Sequence, residues 1–225
     1  MDGTRATTRW WVRARLAWAI LVVAVRGGGF VKFLVLGVDG VTFGSADDLP
    51  EAHWTYMDGW ADALIARGPT MSVDGHHTGS VHVVELPTSA AAHRFAHEEP
   101  FAMAGWYSTI SVSPVVPSMD GSMWDRPAAV PGQASCLVTA SFLDQNRSAV
   151  DLASSVRQRL DALESGRWIF VGVTSDDTGN AVGFVAMADE DPSDTQRNAL
   201  ALFRSVGITD PTIRSQLWRR GGRPA

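Results

Sequence analysis

Six histidines and twenty-four acidic side chains hold the chemistry that this 225-residue chain could perform near neutral pH. Imidazole titrates closest to neutrality, so a positioned histidine can take a proton from a weakly acidic C–H or O–H and pass it on. His53 follows Pro50-Glu51-Ala52 at the start of a helical pattern. It is there either as such a base or as a polar residue at a helix N-terminus. His76 and His77 adjoin the Asp74-Gly75 turn signal. Adjacent side chains of a strand point to opposite faces, so a metal shared between them is disfavoured and a solvated hairpin turn is expected. His82, between Val81 and Val83, faces away from both, toward solvent or a helix. His93 and His97 stand at the spacing that lets two imidazoles of a helix share a metal, but no third ligand is identifiable and no metal site is expected. Ser80 lacks the G-x-S-x-G setting of a nucleophile and is assigned a hydrogen-bonding role. Gly27-Gly28-Gly29 precedes a strand rather than a helix, so it is no phosphate loop.

These groups need elements to hold them. Val31 to Val38 is a β-branched apolar run ending at Asp39-Gly40, read as a buried strand and its exit turn. From Asp47 or Asp48 with Pro50, apolar residues recur at three and four through Trp54, Met57, Leu64 and Ile65, predicting a helix that ends at Gly68-Pro69. Thr70 to Val73 reads as a weak strand, and Ser80 to Leu86 as the second arm of a hairpin. Thr88 or Ser89 caps an Ala-rich helix through Glu98, and Trp106 to Val115 supplies a fourth strand. A Pro-, Gly- and Ser-rich stretch over 117–133 reads as a linker. Beyond it the order recurs: strand 136–142, helix 150–163, strand 168–174, strand 182–188, helix 193–205 and strand 212–219. Ala63 to Gly68 compares with Ala162 to Arg167, and Thr78-Gly79 with Thr178-Gly179, which points to duplication.

Composition narrows the function classes. A chain 45% apolar and 19% charged is globular, and a net charge of −5 leaves no general basic surface for nucleic acid. One cysteine, Cys136, excludes an internal disulfide, reads as buried and inert in its strand, and fits a reducing cytoplasm. Leu16 to Val25 is too short an apolar run to cross a bilayer as a helix, so no stable membrane insertion is expected. Residues 1–30 are set apart from the folded core under three readings: a weak export signal, a peripheral amphipathic anchor, or sequence upstream of a native start at Val31. The third is favoured by the abrupt start of ordered patterning at Val31.

A β-α-β-β-α-β unit is the ferredoxin-like plan, with two helices on one face of a four-stranded antiparallel sheet. Its bare face must be covered, so the fold class is α+β, with tandem repeats whose sheets pack face to face, as an intrachain pseudo-dimer or a homodimer. The connectivity brings the end of the first strand, the start of the first helix, the central hairpin turn and the end of the second helix to one rim. That rim collects Asp39, His53, His76, His77, Ser80 and Glu99.

Pro50-Glu51-Ala52-His53, Gly68-Pro69, Thr78-Gly79-Ser80 and Glu99-Pro100-Phe101 with Ala104-Gly105 resemble, in order, the motifs of the YCII-related (YciI-like) family. The likeness covers residues 31–116 and implies the dimeric α+β barrel fold. It also implies a His-carboxylate pair inside the barrel, which falls on His53 and Glu99; Asp39, Thr78 and Ser80 are expected beside it as ligand-binding residues. Glu99 stands where many relatives carry Asp. One family member is known as a dehydrochlorinase. The second repeat, 134–225, lacks histidine and the acidic-Pro-aromatic motif, and is read as a degenerate copy that lost chemistry and kept the sheet.

The expected function is a cytoplasmic lyase or isomerase acting without cofactor on a small molecule, with His53 as base and Glu99 as its orienter. The alternative is a non-catalytic ligand-binding or assembly module of the same fold.

Overall fold

The computed structural model describes residues 30–126, 134–142, 146–162 and 168–221. The expectations for residues 1–29, for the later part of the linker and for the Ala162 to Arg167 comparison fall wholly or mostly outside them. The first repeat comprises β1 (Val31–Asp39), α1 (Leu49–Asp58), β2 (Leu64–Met71), β3 (His77–Leu86), α2 (Ser89–His97), the single turn α3 (Pro100–Met103) and β4 (Tyr107–Pro117). The second comprises β5 (Ser135–Ser141), α4 (Ala149–Ala162), β6 (Trp168–Ser175), β7 (Ala181–Ala188), α5 (Pro192–Ser205) and β8 (Thr212–Trp218).

The strands form one closed barrel in the order β1-β3-β2-β8-β5-β7-β6-β4. Each repeat contributes four antiparallel strands, and two short junctions join them. At one, Thr70 pairs with Trp218 and Met71 with Leu217; at the other, Val115, Val116 and Pro117 pair with Thr174, Val173 and Gly172. The covering of one bare sheet face by the other thus occurs within a single chain, and closure removes the free sheet edges.

Alternation along the strands assigns the two faces. Leu34, Val81 and Val83 of the first repeat meet Leu137, Val185 and Met187 of the second inside the barrel. Their alternates Phe33, Val35 and Val84 pack instead with Ala92, Phe95 and Ala96 of α2 and with Met57 of α1. Each such buried Val, Leu or Phe side chain contributes about 1.5–3 kcal/mol to the apolar term. The lumen is therefore a packed core. Met123, in a 3-10 turn at Met123–Asp125 within the segment read as a linker, belongs to that core. Cys136 is fully buried, and burial pushes its thiol up.

Two local readings change. The first helix ends at Asp58 rather than at Gly68-Pro69, and Leu64 and Ile65 belong to β2. Their three-and-four spacing after Met57 suited a helix, but pairing residues 64–71 with β3 completes the four-stranded sheet, and long-range pairing overrides local periodicity. The repeats also align differently. Gly79 corresponds to Gly183, since a Cβ on either would strike the carbonyl oxygen of the neighbouring strand, Gly37 at 2.1 Å and Ala140 at 2.2 Å respectively. Gly179 instead matches Gly75 in the hairpin turn, both with φ above +80°. Thr178-Gly179 is therefore not the counterpart of Thr78-Gly79.

Candidate functional site

Glu99 is placed by the proline that follows it. A residue before proline is driven out of the helical region, and Glu99 adopts φ −72°, ψ 146°. It is therefore the N-cap of α3, and no solvated residue at the end of the preceding helix. Its Oε1 accepts from the Ala102 N–H at 3.0 Å and its Oε2 from the Phe101 N–H at 3.2 Å. The same Oε2 lies 2.8 Å from Nδ1 of His53, which α1 delivers from its second turn. Glu99 is almost completely buried, and the His53 side chain is 13% exposed. Phe101 lies flat against the imidazole, with centroids 4.2 Å apart and planes within 4°. The ring is thus fixed along one edge and one face.

With Nδ1–H donating to a buried carboxylate, Nε2 is the nitrogen left for a bound molecule. His53 lines a cleft of about 860 Å³, walled by Phe43, Trp54, Met57, Phe101 and Trp106 and floored by Ser80 and His82 of β3. This cleft lies between the helices and the outer face of the first sheet. The histidine-carboxylate pair is therefore outside the barrel, because the lumen is taken by the apolar alternates of β3.

The other expected residues divide. Ser80 lines the cleft, with its Oγ 2.8 Å from the hydroxyl of Tyr107. Burial, then the charge of Glu99, holds the Tyr107 hydroxyl far above its ordinary range, so it stays protonated. Thr78 instead bonds across the hairpin to Thr70, Oγ1 to Oγ1 at 3.0 Å, and is not among the cleft residues. Asp39 is drawn to His77, with Oδ2 2.7 Å from Nδ1, and its Oδ1 is buried without a hydrogen-bond partner. His77 is thus no solvated turn residue: it stacks on Phe43 at 4.2 Å and lines the same cleft as His53. Its reading as part of an exposed turn missed that β3 begins at His77 itself.

His82 resolves toward the helix. It is 4% exposed, edge-on to Phe95 at 5.7 Å, with its ring centroid 6.2 Å from that of His53. Burial above all, then the proximity of His53 and Arg67, lowers its pKa to about 3, so it is neutral at pH 7. Among the described residues no group of three or more His, Cys, Asp or Glu is arranged to hold a metal, and no helix is long and apolar enough to cross a membrane.

The corresponding place in the second repeat is filled. By the Gly79–Gly183 correspondence, Phe184 stands for Ser80 and Ala186 for His82. Phe184 lies flat against Phe203 of α5, with centroids 3.6 Å apart, inside a closed apolar cluster.

The motifs that built the cleft, Pro50 to His53 on α1 and Glu99-Pro100-Phe101 at α3, are now placed on one side of one sheet. Residues 32–116 match the YCII-related domain. The whole barrel is similar in fold to a proposed monooxygenase of Fusobacterium nucleatum subsp. nucleatum, at 9% identity over 87% of this chain and 94% of that one, with a TM-score of 0.53. A second proposed monooxygenase, from Lactobacillus acidophilus, is 9% identical over 85% of this chain and 94% of that one, with a TM-score of 0.50. A 5-chloro-2-hydroxyhydroquinone dehydrochlorinase from Burkholderia phenoliruptrix, solved with 2,5-dihydroxybenzoquinone, is 24% identical over 36% of this chain and 89% of that one, with a TM-score of 0.34. No curated protein matches. The chain thus joins a YCII-related domain to a second α+β repeat, and the two close one barrel.

Proposed function

We propose that the cleft of the YCII-related domain is the active site of a small-molecule lyase or isomerase, with His53 as general base and Glu99 as the group that orients it. The observation that carries this reading is the 2.8 Å contact between Nδ1 of His53 and a buried carboxylate, on the wall of an open cleft. Nε2 takes the proton from a weakly acidic C–H. In elimination, the C–H electron pair becomes the new double bond and the leaving group departs from the adjacent carbon with its own pair. In isomerisation, the proton returns at another carbon. Glu99 stabilises the imidazolium formed in either case, and such a positioned base supplies about 10²–10⁴ in rate. Proton transfer of this kind requires no redox group, and the substrate is a small aromatic or chlorinated molecule held between the aromatic walls. The single buried cysteine suits a reducing cytoplasm as the place of action.

The test is solvent deuterium incorporation into candidate C–H acids, chlorinated hydroquinones among them, followed by mass spectrometry together with chloride release. His53→Ala should abolish both while the melting temperature stays within a few degrees. Glu99→Gln, which keeps an acceptor for α3 but loses the charge, should retain partial activity. Exchange that survives His53→Ala refutes the base assignment. A cleft that binds these molecules but never exchanges their protons supports the non-catalytic binding module instead.

A further inference from the structure

The residue before Gly68-Pro69 is an arginine, and its surroundings leave it under-used. Arg67 is paired with His82 across β2 and β3, opposite in face to the lumen residue Ala66, and it lines the cleft with His53. Its Nε and Nη1 are buried and donate to no protein group. The ion pair it makes, Nη2 to Oδ1 of Asp58, is long at 3.4 Å and reaches a carboxylate whose side chain is 42% exposed. A guanidinium held away from water with unmade hydrogen bonds is costly, and the fork geometry of Arg suits a carboxylate.

The second repeat adds to this wall. Beyond β8 the chain continues antiparallel alongside β2, the N–H of Arg219 donating to the Pro69 carbonyl at 3.1 Å and that of Gly221 to the Arg67 carbonyl at 2.7 Å. Gly68 permits this close approach, because a Cβ there would lie 1.9 Å from the carbonyl oxygen of Arg219. This pairing brings Arg219 and Arg220 to the cleft, which is lined by three arginines and one carboxylate, Asp47. The remaining acidic groups nearby are committed: Glu99 to His53, Asp39 to His77 and Asp189 to Arg220.

We infer that the cleft takes a small organic anion, a carboxylate on a flat apolar body, with Arg67 as its anchoring fork and the segment 219–221 of the second repeat as part of its wall. Turning the guanidinium from its long, half-exposed contact with Asp58 frees Nη2 to join Nε as the side fork presented to the ligand's two oxygens, while the apolar body lies against Phe43, Phe101 and Trp106. The second repeat, whose corresponding place is filled by Phe184 and Phe203, thereby completes the site of the first. This deepens the active-site reading by naming the substrate class, yet it stands or falls on equilibrium binding.

The experiment is calorimetric titration of the full chain with benzoate, its neutral isostere benzamide, and inorganic phosphate. Benzoate should bind at least about tenfold more tightly than benzamide, the discrimination expected when a charge-assisted bidentate contact is lost. Arg67→Met should remove that preference, and Arg67→Lys, with charge but no fork, should fall between. Equal binding of benzoate and benzamide by the unaltered protein overturns the inference without recourse to any variant. An unchanged benzoate affinity in a folded Arg67→Met also overturns it, and phosphate binding as tightly as benzoate overturns the organic part. Arg67-dependent benzoate binding by a protein that never exchanges substrate protons would refute the catalytic reading alone. Proton exchange by a protein indifferent to benzoate would refute the anion site alone.

Discussion

Replacing His82 by glutamine removes an imidazole that the fold keeps neutral, and with it a defined part of the acid sensitivity of folding. His82 is buried beside Phe95 and near the cations Arg67 and, when protonated, His53, and its pKa falls from 6.5 to about 3. The folded state therefore resists a proton that the unfolded chain accepts below pH 6.5. The unfolding free energy is undiminished by this group above that pH and is lost progressively as pH falls toward 3, at about 1.4 kcal/mol per pH unit. Between pH 7 and pH 5 the loss amounts to about 2 kcal/mol, and it hardly depends on the final folded pKa because that value lies well below 5. Urea unfolding at pH 7, 6 and 5 measures it. The other histidines are common to both proteins, so the difference in slope isolates His82 even if His82→Gln lowers stability throughout. Parallel curves for the two proteins would refute the assignment of His82 as a buried neutral group.

Two further substitutions test how the barrel and its two repeats divide the work. Gly79→Ala places a methyl group 2.1 Å from the Gly37 carbonyl oxygen, so β1 and β3 must separate. A loss above about 3 kcal/mol is expected in urea unfolding, and one below about 1 kcal/mol would contradict the close approach. Phe203→Ala removes the partner stacked on Phe184 and should cost about 3–5 kcal/mol. Proton exchange at His53, measured where the variant is still folded, should be unchanged; its loss would show that the second repeat's core shapes the cleft directly.

Much of this arrangement was legible before any coordinates. The repeated β-α-β-β-α-β order follows from strands with alternation or β-branched runs and from capped amphipathic helices, and these signals are local. The side chains that cap and turn, such as Thr88 accepting from the Ala91 N–H, act within a few residues and can be read off the chain. The pairing of His53 with Glu99 was reached through motif likeness together with the rim that the topology implies. Local periodicity misled where two elements share an apolar spacing: Leu64 and Ile65 fit the tail of a helix as well as a strand. Gly68-Pro69, a stop signal for a helix, instead lets residues 219–221 pair alongside β2 at backbone contact.

His77 and Arg67 show the other limit. Neither carries a local signal of function, since one borders a hairpin and the other ends a helix-like run. They reach the cleft because Asp39 and Phe43, distant in sequence, hold His77, and because the β2–β3 register sets Arg67 beside His82. The chain's pattern of apolar and polar residues was enough for the two repeats, and the likeness of its motifs for the pairing of His53 with Glu99. Which face of the sheet bears them was settled by packing: closing the barrel fills its lumen with the apolar alternates of β3 and leaves His82, Ser80 and their neighbours to the helical side. A side chain's alternation shows which residues share a face, but only the partner that covers each face determines which one becomes core and which one remains open to a ligand.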